Sequence, residues 1–217
     1  MAAGYGLFLR EYIRHFHDTG SIAPSSRWLA ASLCRYVTPR EFADKPLNIL
    51  EVGPGTGAVT EHLVRCVGPR DRLTLVELND KFVEHLRKRL VEEQAFAAVA
   101  PRTRILNQRL EDLPTEESYD VIISGLPLNN FAAGDVAQIL ARFQELLAPQ
   151  GKLSFFEYIA IRAARGAVSL GAERRRIRGI SQALSHLLQP HQIRRDWVWM
   201  NLPPAWVHHV CLDAKAR

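Results

Sequence analysis

Cysteine is scarce in this chain and scattered: Cys34, Cys66 and Cys211 are the three present, and no two of them form a C-x-x-C pair. That spacing excludes a disulfide framework and a cysteine-based metal knuckle, so no metal is expected and a reducing compartment fits best. Long apolar runs are missing too. No stretch approaches the roughly 20 residues that a membrane-spanning helix needs, and the N-terminus lacks the charged-then-apolar order of a secretory leader. Repeats and low-complexity tracts are also absent. The expectation is a cytoplasmic protein, soluble or peripheral on the inner face of the cytoplasmic membrane.

What is present suffices for one substantial core, with 217 residues of which 47% are hydrophobic. A single domain over 1–217 is expected. The formal net charge of +5 favours an anionic partner, nucleic acid or an acidic membrane surface. Two segments carry that charge beside apolar faces. Tyr5, Phe8, Leu9, Tyr12, Ile13 and Phe16 recur at helical spacing among Arg10, Arg14, His15 and His17. Such a helix either lies in a lipid headgroup region or packs on the core. The basic stretch from Arg162 to Arg178, with Arg165, Arg174, Arg175 and Arg176, leads into a second periodic face, Ile177, Ile180, Leu184, Leu187 and Leu188. It reads equally as a solvated helix or a membrane contact.

The most informative run is Ile49-Leu50-Glu51-Val52-Gly53-Pro54-Gly55-Thr56-Gly57, an apolar strand that ends in an acid and then a glycine-spaced turn. Gly53, Gly55 and Gly57 let the backbone turn sharply and approach a ligand where a Cβ would clash. The spacing is G-x-G-x-G rather than the G-x-G-x-x-G that seats a pyrophosphate. S-adenosylmethionine, which has no phosphate, suits it. A second strand, Leu73 to Val76, ends in Glu77, twenty residues beyond Gly57, where a carboxylate can accept both ribose hydroxyls, with Leu78 beside it.

Strands are predicted at Leu47 to Val52, Leu73 to Glu77, Thr103 to Leu106, Tyr119 to Ser124 and Lys152 to Ile161. They alternate with helical patterns at 57–67, 79–94 and 134–148. Alternation of this kind means an α/β fold with a Rossmann-like, doubly wound parallel sheet. Ile193 to Met200 and Ala205 to Leu212, joined by Asn201-Leu202-Pro203-Pro204, read as an antiparallel C-terminal hairpin that brings the sheet to seven strands. Residues 1–40 form an N-terminal helical cap, with a helix from Trp28 capped by serine, before the sheet region 45–217.

Over roughly residues 45 to 215 the chain resembles class I S-adenosylmethionine-dependent methyltransferases. Four segments narrow the likeness: Thr19-Gly20-Ser21-Ile22-Ala23-Pro24-Ser25-Ser26, Leu50 to Gly57, Ser124-Gly125-Leu126-Pro127-Leu128-Asn129-Asn130-Phe131, and Asn201-Leu202-Pro203-Pro204-Ala205. Together they resemble the rhizobial-type bacterial phospholipid N-methyltransferases, which convert phosphatidylethanolamine to phosphatidylcholine. Relatives methylate ornithine lipids. The resemblance implies that Ser25 and Ser26 hold the methionine end of the cofactor, that the Leu110 amide reaches its adenine ring, and that Glu51, Gly53, Gly55, Gly57, Glu77, Leu78 and Ser124 complete its site. Where the family usually has Gly-Asp-Ala for adenine, this chain has Gln108-Arg109-Leu110, and an arginine accepts no hydrogen bond. The resemblance also implies that Ser124, Gly125 and Leu126 orient the acceptor amine. Glu157 and Tyr158 are candidates for accepting its proton. The expected partners are an amino-headgroup lipid and an anionic membrane surface, not nucleic acid. An RNA adenine N6-methyltransferase fits less well, because Ser124 and Leu128 stand where such enzymes carry asparagine and an aromatic ring. A lipid-binding protein with a vestigial cofactor site is the remaining alternative, supported by Arg109.

Overall fold

The computed structural model describes residues 26–37, 45–159 and 172–212. The chain runs α1 (Arg27–Leu33), β1 (Asn48–Val52), α2 (Thr60–Leu63), β2 (Arg72–Val76), α3 (Asp80–Glu92), α4 (Gln94–Ala97), β3 (Thr103–Leu106), β4 (Tyr119–Ser124), α5 (Ala133–Leu146), β5 (Leu147–Tyr158), α6 (Ala172–His191), β6 (Gln192–Val198) and β7 (Ala205–Cys211). The strands form one seven-stranded sheet in the order β3-β2-β1-β4-β5-β7-β6. β1 to β5 are parallel, and β7 and β6 add antiparallel at one edge. This is the expected α/β, doubly wound architecture. β1 and β4 sit side by side where the strand order reverses, with Val52 opposite Ser124, and ligands of open α/β sheets bind at that switch point.

Side-chain alternation along the strands divides the core into two layers. Leu50, Val52, Ile122 and Phe155 face α5 and α6, packing with Ile139, Phe143, Ile180, Leu184 and Leu187. Ile49, Val121, Ile123 and Phe156 face the other way, against Leu29 and Leu33 of α1 and Phe96 of α4. The apolar stripe of the basic C-terminal helix is therefore used in the core, leaving Arg175 and Arg178 exposed. Each large apolar side chain buried on the strands contributes on the order of 2 kcal/mol, whereas the acid Glu51 is fully buried on the α1 side.

Three local differences from the sequence reading have physical causes. The helix predicted over 57–67 keeps only Thr60–Leu63, because Gly57 is left-handed (φ 84°) and the chain continues after Leu63 as tight turns. Strand β5 begins at Leu147 rather than Lys152, with a register break opposite Tyr119 and Val121, and Gln150 takes a left-handed φ of 63° there. The cap begins in the described residues at Ser26, whose hydroxyl accepts the Leu29 amide at 3.2 Å and starts α1. The predicted amphipathic face from Tyr5 to Phe16, and Ser25, Arg162 and Arg165, lie outside the described residues. Among the described residues, no helix is long and apolar enough to cross a membrane.

Candidate functional site

The glycine turn after β1 is built as its composition requires. Gly53, Gly55 and Gly57 adopt φ of 69°, 57° and 84°, a region that costs any other L-residue strain. The Gly53 amide donates to the Val76 carbonyl at 2.9 Å, tying the turn to β2. A Cβ at Gly53 would fall 2.6 Å from Leu126 Cδ2, and one at Gly125 would fall 2.5 Å from the Gly53 carbonyl oxygen. The loops after β1 and β4 thus touch through two glycines. Arg89 of α3 braces the turn from outside, donating to the carbonyls of Thr56 and Gly57 at 3.0 and 3.1 Å while stacking on Phe96. Sequence reading missed this residue, since nothing in a helix pattern shows which arginine reaches back across 32 positions.

Glu77 lies at the end of β2, 4% exposed. Its carboxylate accepts the Gly55 amide at 3.0 Å and the Asn79 amide at 2.9 Å. Burial raises its carboxyl above the usual range, and the backbone bonds from Asn79, Gly55 and Leu78 oppose that shift. Asn107, another residue the sequence reading did not single out, donates to the carbonyls of Glu77 and Leu78 and so fixes the loop after β3 against the loop after β2. Leu110 opens a single turn at Leu110–Asp112, and the arginine before it pairs with Glu111 at 3.4 Å. Arg109, at the position where the resemblance leads one to expect an aspartate, is therefore held by a neighbouring carboxylate.

Glu51 is the chemical anomaly of the site. It is 0% exposed, and neither carboxylate oxygen makes a hydrogen bond. Burial pushes its carboxyl up to about 8; the nearby Thr60 hydroxyl offsets part of this, and the charge of Glu77 adds to it. Cys34, which follows α1, is close enough for the acid to help burial hold its thiol well above normal. A buried carboxyl with no partner is costly unless something charged meets it.

Ser124 ends β4 fully buried, and its hydroxyl accepts the Leu126 amide at 3.3 Å. The Gly125 amide donates to the Val52 carbonyl at 2.8 Å. Beyond it, Asn129 donates to the Tyr158 carbonyl, and Arg176 of α6 grips the carbonyls of Asn129 and Phe131 at 2.9 and 2.7 Å. Ser26 also reaches this end of the sheet, its amide bonded to Asn201 Oδ1 in the β6–β7 turn. Its hydroxyl is already engaged in capping α1.

Glu157 and Tyr158 do not converge. As consecutive strand residues they point to opposite layers, Glu157 on the side of Phe155 and Tyr158 beside Phe156 under α1. They cannot act as one proton-accepting pair. Glu157 instead meets His208 of β7 at 3.1 Å, and the second ring nitrogen faces Gln192 Oε1 at 2.9 Å. Both His208 and Glu157 are almost fully buried. The adjacent histidines of β7 divide between the layers: His209 joins Ser154 and Asp196 on the other face. Two histidines in a β-patterned run were a legible signal that one of them faces each layer.

The residues fit S-adenosylmethionine. A turn of three left-handed glycines, a carboxylate at the end of β2 and an orphaned buried acid match a ligand that combines an adenosyl group with positive charge. Known proteins agree. Residues 49–151 match the family model of a methyltransferase domain. An ornithine lipid N-methyltransferase from Singulisphaera acidiphila is 32% identical over 145 residues, covering 67% of this chain and 73% of that enzyme. A ubiquinone/menaquinone biosynthesis C-methyltransferase from Stutzerimonas stutzeri is 29% identical over 51% of this chain and 41% of its own length. Among solved structures, the O-methyltransferase TomG from Streptomyces achromogenes in complex with S-adenosylmethionine aligns over 97% of this chain and 91% of its own, with a TM-score of 0.62 and 17% identity. An O-methyltransferase from Bacillus cereus in complex with SAH aligns with a TM-score of 0.60 and 14% identity over 95% of this chain and 91% of its own.

Proposed function

Because the chain belongs to the S-adenosylmethionine-dependent methyltransferases, a fact carried by its relatives and its fold, we propose that it methylates the headgroup amine of a membrane lipid. S-adenosylmethionine is its cofactor and supplies an electrophilic methyl group on a sulfonium. Gly53, Gly55 and Gly57 would let it approach the backbone, Glu77 would exchange its amide contacts for the ribose hydroxyls, and Glu51 would lie under its cationic end.

The observation that carries the lipid reading is the character of the loop after β4. Ser124 offers a small polar end, Leu126 and Leu128 are apolar, the Asn129 amide is occupied by the Tyr158 carbonyl, and Phe131 is fully buried. Ser124 and Leu128 offer neither the asparagine amide nor the aromatic ring that would hold and stack a nucleobase. That arrangement favours a compact amine over an adenine. The Ser124 hydroxyl and nearby loop carbonyls would accept the amine's N–H bonds and aim its lone pair. The proton that the amine gives up needs an acceptor, and the Glu157–His208 pair behind the same loop can take it at either group.

Two headgroups satisfy this chemistry. The Ser124-to-Phe131 and Asn201-to-Ala205 motifs support phosphatidylethanolamine, and the Singulisphaera relative supports an ornithine lipid about as well. Both carry a primary amine beside an anionic group. Purified protein incubated with labelled S-adenosylmethionine and vesicles containing either lipid, with products identified by mass spectrometry, is expected to transfer methyl groups to one of them. Cofactor bound without transfer to either lipid sinks the reading and returns attention to RNA.

A further inference from the structure

Of the seven large apolar side chains left exposed among the described residues, all but Val91 and Ile193 lie together. Trp28 (49%), Trp197 (50%), Trp199 (63%), Met200 (73%) and Leu202 (78%) gather at one place, the tip of the β6–β7 hairpin and the first turn of α1. Trp28, Trp197, Trp199 and Met200 line a common groove of about 720 Å³. Trp197 stacks on Trp199 at 5.2 Å and meets Trp206 edge-on at 5.4 Å. An apolar tip of this kind is unfavourable in water and needs a partner.

Charge and position identify that partner. Arg27 lies over Trp28 at 4.9 Å, and Arg195 lies over Trp197 and Trp206 at 5.8 and 5.1 Å. Both arginines are exposed, and neither forms an ion pair among the described residues. Tryptophan rings flanked by arginine suit the boundary between acyl chains and anionic headgroups, where the ring is buried and the guanidinium stays at the phosphates. The tip also faces the working end of the sheet. β7 starts opposite the end of β5, with Ala205 beside Tyr158, so the turn at 199–204 stands at the carboxyl ends where Val52 and Ser124 lie.

We propose that the β6–β7 tip together with Trp28 is the surface that docks on an anionic bilayer, placing the carboxyl ends of the sheet toward the headgroups. The proposal rests on the lipid-methylating reading for its purpose but not for its test. It adds a contact separate from the N-terminal segment and from the stretch at 162–178.

The four tryptophans of the chain, Trp28, Trp197, Trp199 and Trp206, all belong to this surface or adjoin it, so intrinsic fluorescence reports on it alone. Full-length protein is expected to show a blue shift with phosphatidylglycerol-rich vesicles, quenching by brominated acyl chains, and little response to pure phosphatidylcholine. The double variant Trp199→Glu, Met200→Glu should partition roughly tenfold more weakly or worse, with unchanged cofactor affinity by calorimetry and unchanged transfer to a detergent-dispersed aminolipid. Equal partitioning of variant and parent overturns the proposal. So does emission that is already blue before vesicles are added and indifferent to them, which marks the surface as covered by protein. Lipid methylation in the parent would survive either result, whereas docking without any transfer to lipid would remove the substrate reading alone.

Discussion

Glu51 and Glu77 are both buried acids at strand ends, yet their surroundings set them to different tasks. Glu77 is surrounded by amide donors and stands ready to accept from hydroxyls, while Glu51 has no hydrogen-bond partner. Replacing Glu77 with alanine is expected to raise the cofactor dissociation constant roughly tenfold or more, since charge-assisted hydrogen bonds are lost; an unchanged constant by calorimetry would remove it from the ribose site. For Glu51, whose carboxyl sits at about 8 in the free protein, a cation nearby favours the ionised form. Cofactor affinity should therefore rise with pH up to about 8 and level above it. Calorimetry at pH 7 in buffers of different ionisation enthalpy should show proton release on binding, and Glu51→Gln should abolish it. Glu157→Gln should lower kcat more than it raises KM and shift the pH–rate profile, because it alters proton transfer and not cofactor contact.

The elements matter here mainly through where they touch. Two loops from strands 72 residues apart meet at Gly53 and Gly125, and the contact tolerates no side chain. Gly125→Ala places its Cβ 2.5 Å from a carbonyl oxygen, so a loss of about 1–3 kcal/mol is expected, visible as a lower melting temperature and a weakened cofactor site. Arg89→Ala leaves α3 intact but frees the Thr56 carbonyl and leaves that of Gly57 with the Glu61 amide alone. The expected result is weaker cofactor binding with a smaller change in melting temperature than Gly125→Ala produces. Strand β7 divides its two histidines between the layers, one meeting Glu157 and the other joining the network that anchors α1 on the hairpin. In that network Asp196 accepts from Ser32, Arg35 and Arg194, so the first helix is bound to the last strands by polar contacts as well as by Leu29 and Leu33.

At the scale of the whole molecule, the buried titrating groups set how stability follows pH. Burial holds His209 down to about 4 from an ordinary 6.5, so it is neutral when folded, and its contribution is lost as pH falls below 6.5. Glu51 acts in the opposite sense: its carboxyl rises from 4.5 to about 8, so stability of the cofactor-free protein declines as pH rises through that window. Between about 4.5 and 6.5 the two oppose each other, and from 6.5 to 8 the decline from Glu51 runs without His209 against it. Thermal melts are expected to show a decline above pH 6.5 that Glu51→Gln reduces, exposing an acid-side slope that His209→Asn reduces in turn. The sequence by itself determined the fold class, the strand order's raw material and the cofactor loop, because strand alternation and glycine spacing are local properties that no distant contact has to complete. Even the pairing of Gly53 to Gly57 with Glu77 was legible, since both lie at ends of strands twenty-odd residues apart. Tertiary structure alone decided that Glu51 has no partner, that Arg89 braces the loop, that Glu157 and Tyr158 face different layers, and that the exposed tryptophans share one tip. Those facts depend on which side chains meet across the sheet, and burial, charge pairing and exposure arise only once distant segments are packed together.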